Sequence, residues 1–316
     1  MVQNNNTALQ PLVSFIITAY NLPAERLTEC VDSVLRLSLR SGEREVILVD
    51  DGSAGCLLAG MMPAADSIIY VRQPNGGTGA ARNMGLRLAT GRYIQFVDGE
   101  DMLLSEAYEH CIDIVRYNHP DIVTFSSGTT PEGRNDYEDE APTDGSRLVK
   151  HNNLEASPWG YVFSRRILTG LRFNADCYAD DEFTTLLFLR AEKVYSTSSV
   201  AYCCRRPPVK IDRTDLKAIV KRLDDAESLV LRLHDLLDTL SADDRSALQR
   251  RVAELTMNYI INTIRWTRSS RQLLMRVERL EQLGLFPLPD RSYSKKYVLF
   301  NKLSRSSLVR KILTRL

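Results

Sequence analysis

No two cysteines in this sequence stand at the Cys-x-x-Cys spacing of a zinc or redox motif, and the adjacent Cys203–Cys204 pair is poorly placed to close a disulfide. Cys30, Cys56, Cys111, Cys177, Cys203 and Cys204 are therefore expected to be free thiols in a reducing cytoplasm. Residues 1–13 carry no Lys or Arg and no long apolar core, which argues against a signal peptide. No apolar stretch approaches the ~20 residues that a membrane-spanning helix needs, so a membrane contact would be peripheral. Acidic residues are missing from Arg291 to Leu316, where eight Lys or Arg stand; the net charge of +1 hides this basic tail. Repeats, low-complexity tracts and recognised nucleic-acid modules are also lacking, so nucleic acid is not an expected partner.

What is present is an alternation of strand and helix patterns. Apolar runs at Leu12–Ile17, Glu45–Val49, Ile68–Val71, Tyr93–Val97 and Asp121–Phe125 read as strands. Helical patterns separate them: one opened by Pro23 and carried by Leu27, Val31, Val34 and Leu35, one from about Gly79 to Leu88, and one from Leu103 to Tyr117. This order predicts an α/β domain with a mostly parallel sheet covered by helices on both faces. Ser126–Asn153, rich in Gly, Pro, Asp and Glu, is expected to be a loop or partly ordered hairpin, a candidate lid on the substrate side. Asp181–Ala191 reads as a helix. After Pro207-Pro208 the pattern becomes one-faced helices: Leu216–Leu237, a second capped by Ser241, and a third from about Ser270 to Leu283 stopped by Gly284. The expected plan is an unstructured tail over residues 1–11, a catalytic α/β domain over 12–210 and a helical region with a basic tail over 211–316.

Four polar clusters lie where strands end or a helix begins, and in such sheets ligands bind beyond the carboxyl ends of the strands. In Asp50-Asp51-Gly52-Ser53 a carboxylate could accept the imide hydrogen of a pyrimidine; taken alone, a tight turn is the simpler account. Glycines in the segment Asn75–Gly85 let backbone approach a ligand, and the helix start favours anions. The segment lacks the Lys-Ser/Thr ending of a P-loop, and a dinucleotide fingerprint would follow the first strand. Arg82 within it is placed to face a phosphate or Asp98. Asp98-Gly99-Glu100-Asp101 offers hard oxygen ligands for Mg²⁺ or Mn²⁺ against a diphosphate, or else a solvated turn capping the next helix. Asp180-Asp181-Glu182 could supply a general base, or simply an acidic helix start.

In their order and spacing these segments resemble the family 2 glycosyltransferases with the GT-A fold, over residues 12–206. The marks are Ser14-Phe15-Ile16-Ile17-Thr18-Ala19-Tyr20-Asn21, then Glu45–Ser53, Asn75–Gly85 and Gly91–Asp101. The resemblance implies a Rossmann-like sheet and inverting transfer of a sugar from a nucleotide diphosphate sugar, usually a UDP-sugar, to a hydroxyl of a glycan or lipid-linked saccharide. By position it implies that Ala19, Tyr20 and Asp50 line the base and that Asp98 sits by ribose and metal. Glu100 would be the main ligand of Mn²⁺ or Mg²⁺. Asp181 would be the general base, with Asp180 and Glu182 leaving the choice among the three acids open. Asn75, Asp51 and Arg82 would be further donor contacts.

The sequence departs from the family pattern in two places: Glu100 replaces the usual Asp, and Asp180-Asp181 replaces Glu-Asp. Tyr202-Cys203-Cys204-Arg205-Arg206 resembles the aromatic–Arg stretch in which a basic residue meets the diphosphate. The alternative is a nucleotide-sugar-binding or scaffolding protein of the same fold, impaired at Glu100 or in the acidic cluster. A nucleotidyltransferase would want a glycine-rich basic loop where Thr18-Ala19-Tyr20-Asn21 stands.

In the tail, Leu308, Val309, Ile312, Leu313 and Leu316 share one helical face, and Arg310, Lys311 and Arg315 the other. Such a helix can lie on anionic lipid, each basic residue adding about 1 kcal/mol, or pack its apolar face on the preceding helices. The first account would put the protein at the inner face of the cytoplasmic membrane, within reach of a lipid-linked acceptor.

Overall fold

The computed structural model describes residues 10–40, 42–57, 66–132, 137–206 and 211–306. The chain divides into two compact units, one of Met1–Gly145, Ala156–Ala175 and Ala179–Pro207, the other of Ser146–Glu155, Asp176–Tyr178 and Pro208–Leu316.

The first unit runs β1 (Val13–Ala19), α1 (Ala24–Leu35), β2 (Arg44–Asp50), β3 (Ile69–Arg72), α2 (Thr78–Leu88), β4 (Tyr93–Asp98), β5 (Met102–Leu103), α3 (Ser105–Asn118) and β6 (Ile122–Gly128). It continues with β7 (Tyr161–Ser164), α5 (Ala179–Leu189) and β8 (Val194–Cys203), whereas α4 (Gly145–His151), between β6 and β7 in the chain, belongs to the second unit from Ser146 onward. The sheet order is β3-β2-β1-β4-β7-β6-β8-β5. β3, β2, β1 and β4 are parallel, as the strand–helix alternation predicts. The other half is mixed: β7 is antiparallel to β4 and β6, β8 is parallel to β6, and β5 is antiparallel to β8.

β1 is buried along its whole length because helices cover both faces of the sheet, which is why its sequence is a nearly unbroken apolar run. Alternate residues serve opposite layers. Phe15 and Ile17 join Leu27, Val31 and Val34 of α1 and Tyr108, Cys111 and Ile112 of α3 in one core. Ile16 points the other way, toward α2. There a Cβ on Gly85 would stand 2.2 Å from Ile16 Cγ2, so this helix–strand approach depends on glycine.

The described residues of the 126–153 segment, 126–132 and 137–153, are more ordered than expected. β6 continues through Gly128, Thr143 exchanges backbone hydrogen bonds with Val194 at 3.0 and 2.7 Å, and α4 occupies Gly145–His151. The order comes from pairing with a distant strand, which leaves no local periodicity.

The second unit is built on α6 (Leu216–Asp235), α7 (Ala242–Thr267), α8 (Ser270–Gln282) and α9 (Lys295–Ser304). Ser241 caps α7 through Asp244 N–H, and Gly284, at φ 70°, follows the end of α8. Glu227 is buried in this unit and accepts from Tyr259 Oη at 2.6 Å while pairing with Arg279 Nε at 2.6 Å. Its charge is thus compensated within the helices. No helix among the described residues is long and apolar enough to cross a membrane. Residues 1–9, Pro207-Pro208 and the tail positions Leu308 to Leu316 lie outside the described residues.

Candidate active site

Register puts Ala19 beside Asp50 and Thr18 beside Asp98, so the polar ends of β1, β2 and β4 lie together. A cavity of about 220 Å³ opens at this edge, lined by Thr18, Ala19, Tyr20, Leu22, Asp51, Thr78, Ala81, Asp98, Gly99, Glu100 and Arg206. Tyr20 is 50% exposed at its rim, leaving a ring face available to a planar partner.

The turn after β2 divides its two carboxylates. Asp50 is fully buried, accepting from Ser53 N–H at 2.8 Å and Tyr70 Oη at 2.8 Å, with Arg72 Nε at 3.6 Å. Burial alone would raise its carboxyl, but these hydrogen bonds and Arg72 hold it below the usual carboxylate range. Asp51 turns the opposite way. Its Oδ1 accepts from Gln73 Nε2 at 2.7 Å and Gly76 N–H at 2.9 Å, and its Oδ2 from Gly77 N–H at 2.8 Å. Asp51 thereby fixes the glycine loop ahead of α2, and it lines the cavity where Asp50 does not. Gly52, at φ 81°, makes the division possible. Asn75 is exposed on the same loop, outside the cavity lining.

The turn after β4 is held from three sides. Beneath it, Tyr202 Oη donates to Asp101 Oδ2 at 3.0 Å and accepts from Asp98 N–H at 3.1 Å, its ring stacked on Trp159 at 4.5 Å. Beside it, Arg205 donates its N–H to Asp101 Oδ1 at 2.8 Å and its Nε to the Glu100 carbonyl at 2.7 Å. Burial still pushes the Asp101 carboxyl up, outweighing these bonds. In the cavity, Arg206 reaches Asp98 Oδ2 at 2.8 Å and Glu100 Oε1 at 2.7 Å.

Arg82, on α2, is 2% exposed and bridges two acids. Its Nη2 meets Asp98 Oδ1 at 3.0 Å and its Nη1 meets Asp180 Oδ1 at 2.6 Å. The guanidinium also lies 5.4 Å from the Phe173 ring centre and 5.7 Å from that of Phe96. Burial works against its charge, but Asp98 and Asp180 hold its pKa above the ordinary value. Arg82 is therefore a buried strut between acids and not an open phosphate ligand.

Of the residues picked out by sequence, Ala19, Tyr20, Asp51, Asp98 and Glu100 line one cavity, and Arg82 joins Asp98 to Asp180. Asp181 and Glu182 follow in the first turn of α5, outside the lining. Sequence reasoning missed Tyr202 as the support of the turn. Its signal was a lone hydroxyl-bearing ring in the apolar run Val200-Ala201-Tyr202-Cys203.

Among the described residues no group of three His, Cys, Asp or Glu is arranged to hold a metal ion. Asp98 and Glu100 nonetheless present the oxygen donors that Mg²⁺ or Mn²⁺ takes when waters and substrate phosphates complete the shell, so the donor set fits such an ion in part.

An α/β sheet with acids gathered at its carboxyl edge defines a class of proteins that bind ligands there. The model of glycosyl transferase family 2 matches residues 14–193, more than half of the sequence, and the chain belongs to that family. The glycosyltransferase EpsJ of Bacillus subtilis (strain 168) is 30% identical over 216 residues, covering 63% of this chain and 62% of EpsJ. The match thus spans less than two thirds of that relative. Among solved structures, S. aureus TarS 1–349 in complex with UDP-GlcNAc superposes with a TM-score of 0.66 at 17% identity, over 96% of this chain and 88% of that one. The mannosyltransferase PcManGT from Pyrobaculum calidifontis, in complex with GDP-Man and Mn²⁺, gives 0.55 at 15% identity, over 96% and 87%. These likenesses establish the GT-A fold.

Proposed function

We propose that this chain is an inverting glycosyltransferase that moves a sugar from a UDP-sugar to a hydroxyl of a glycan or lipid-linked saccharide. The observation that carries the reading is the Asp98–Arg82–Asp180 bridge, which ties the nucleotide edge at the end of β4 to the acidic start of α5. Tyr20 and Ala19 receive the base at the cavity mouth, with Asp51 shaping the loop behind it. Asp50 acts from beneath, through the turn it fixes. Asp98 and Glu100 are the residues to hold Mn²⁺ or Mg²⁺, and Arg206 is the side chain placed to turn from them toward a diphosphate. When bound, such an ion offsets charge developing on the departing diphosphate. Asp180 is committed to Arg82, so Asp181, next in the same turn, takes the proton of the acceptor hydroxyl. The UDP-GlcNAc bound by TarS and the GDP-Man and Mn²⁺ bound by PcManGT support a nucleotide-sugar donor and a divalent ion.

A lipid-linked acceptor would place the protein on the inner face of the cytoplasmic membrane. α9 favours this, since its exposed face mixes Val298, Leu299 and Leu303 with Lys295, Lys296 and Lys302.

The test is UDP release from a panel of UDP-sugars with Mn²⁺, followed by NMR assignment of the anomeric configuration in the product. UDP binding without turnover on any donor would favour the impaired, binding-only alternative. Retention of configuration would overturn the inverting mechanism.

A further inference from the structure

A second cavity of about 580 Å³ lies at the opposite edge of the sheet, lined by Arg92, Tyr93, His119, Arg165 and Arg166 among others. β4 starts at this cavity and ends at Asp98, so the two sites are separated by roughly 17 Å of strand. One ligand the size of a diphosphate cannot occupy both.

Charge sets this cavity apart. Tyr93 pairs with Ser164 across the antiparallel β4–β7 ladder, which makes Arg92 and Arg165 the next cross-strand neighbours; Arg165 N–H donates to the Arg92 carbonyl at 2.8 Å. Like charges opposite one another on a ladder destabilise it. Arg166 adds a third guanidinium, tied to Asp121 Oδ1 at 2.7 Å. Asp121 is itself occupied, since its Oδ2 accepts from the N–H groups of Glu192 at 3.0 Å and Lys193 at 3.1 Å. Lys193 Nζ, outside the lining, bonds the Asn118 carbonyl at 2.6 Å. The Glu192 carboxylate acts on Arg166 from outside. Among the described residues Arg92 and Arg165 make no ion pair with a carboxylate, so Asp121 and Glu192 are the acids set against three guanidinium groups.

We propose that this cavity is a second binding site, for a phosphate-class anion carried either free or within a phosphodiester chain. Guanidinium groups recognise phosphate through paired N–H donors, and an anion between Arg92 and Arg165 would turn their repulsion into a shared ion pair. The proposal is independent of the donor reading of the first cavity.

The test uses the full chain, titrated calorimetrically at low salt with inorganic phosphate and with an oligo(glycerol phosphate). The double variant R92Q/R165Q and the distant charge control R36Q are compared with it. The wild type and R36Q should bind one or both anions saturably, and R92Q/R165Q should bind at least about tenfold more weakly. In phosphate-free buffer the double variant should melt no lower than the wild type, because the repulsion is gone, and added phosphate should raise only the wild type and R36Q. Saturation by phosphate alone assigns a free anion, and binding of the oligomer alone assigns a chain. Failure of both anions to saturate, or equal binding by R92Q/R165Q and the wild type, would overturn the site.

Discussion

Arg82 Nη1 donates to Asp180 Oδ1 at 2.6 Å, although 98 positions separate the two residues in sequence. The same guanidinium holds Asp98 at 3.0 Å, so one buried side chain joins the end of β4 to the start of α5. Replacing Arg82 by Ala leaves Asp98 buried beside an unfilled space. Leaving a buried charge unpaired costs about 3–5 kcal/mol. Because Asp98 keeps Arg206 at 2.8 Å and the Asp180 side chain is 40% exposed, the R82A loss should fall below that range. R82K keeps the charge but loses the two-armed reach and should fall between R82A and wild type in urea denaturation. Wild-type stability in R82A would remove Arg82 from its structural role.

Asp181→Asn should slow sugar transfer at least about 100-fold, the ordinary share of a positioned base, while UDP affinity stays within about twofold. Asp180→Asn should instead lower the unfolding midpoint, because it releases Arg82. Calorimetric UDP titration together with a transfer assay separates the two effects. Undiminished transfer in the Asp181 variant would transfer the base assignment elsewhere.

Arg206 lies where a cation would meet Asp98 and Glu100. Arg206→Ala should therefore strengthen Mn²⁺ binding to the nucleotide-free protein, because the ion no longer displaces a guanidinium. Electron paramagnetic resonance of free Mn²⁺ reads this directly, without turnover. Weaker Mn²⁺ binding in the variant would contradict the exchange.

Asp50 carries a predicted acid dependence. Its folded-state carboxyl is held low, so its stabilising share is present above the unfolded value of about 3.9 and is lost as pH falls through the lower folded value. Asp50→Asn should melt below the wild type at pH 7, and the gap should close below about pH 4. Thermal scans at successive pH values check it, and a gap that widens with acid would reverse the sign.

Residues 293–316 should carry any attachment to lipid. Flotation with vesicles containing anionic lipid should recover the full chain, and a chain ending at residue 292 should stay with the soluble fraction. Equal recovery of both would exclude membrane docking through this segment.

The central part of the parallel sheet was legible because β1, β2 and β4 are largely buried and announce themselves as apolar runs, β2 and β4 ending in Asp and β1 running into Tyr20-Asn21. The second half was less so. β8 alternates Val194, Tyr195, Ser196 and Thr197 with little periodic contrast, and its partners near Thr143 are fixed only by contact across the fold. At the site, residue types pointed to strand ends that border the cavity, but not to the division of labour between neighbours. That Asp50 turns inward and Asp51 outward follows from Ser53, Tyr70 and the glycine loop, all outside the motif's own four positions or hidden in its backbone. The pairing of Arg82 with Asp180 needed the third dimension altogether.

Tyr202, Arg205 and Arg206 hold the Asp98–Asp101 turn from below, from beside and from within the cavity, and all three come from the last residues of β8 or just beyond it. Because neighbouring positions on a strand face opposite ways, inserting or deleting one residue before Tyr202 would exchange the supporting ring for Ala201 or Cys203 and swing both arginines aside. Point changes along this segment can be absorbed one contact at a time, whereas a change in its length rewrites all of them together. Diversification of this edge is thus channelled into side-chain replacement at constant spacing.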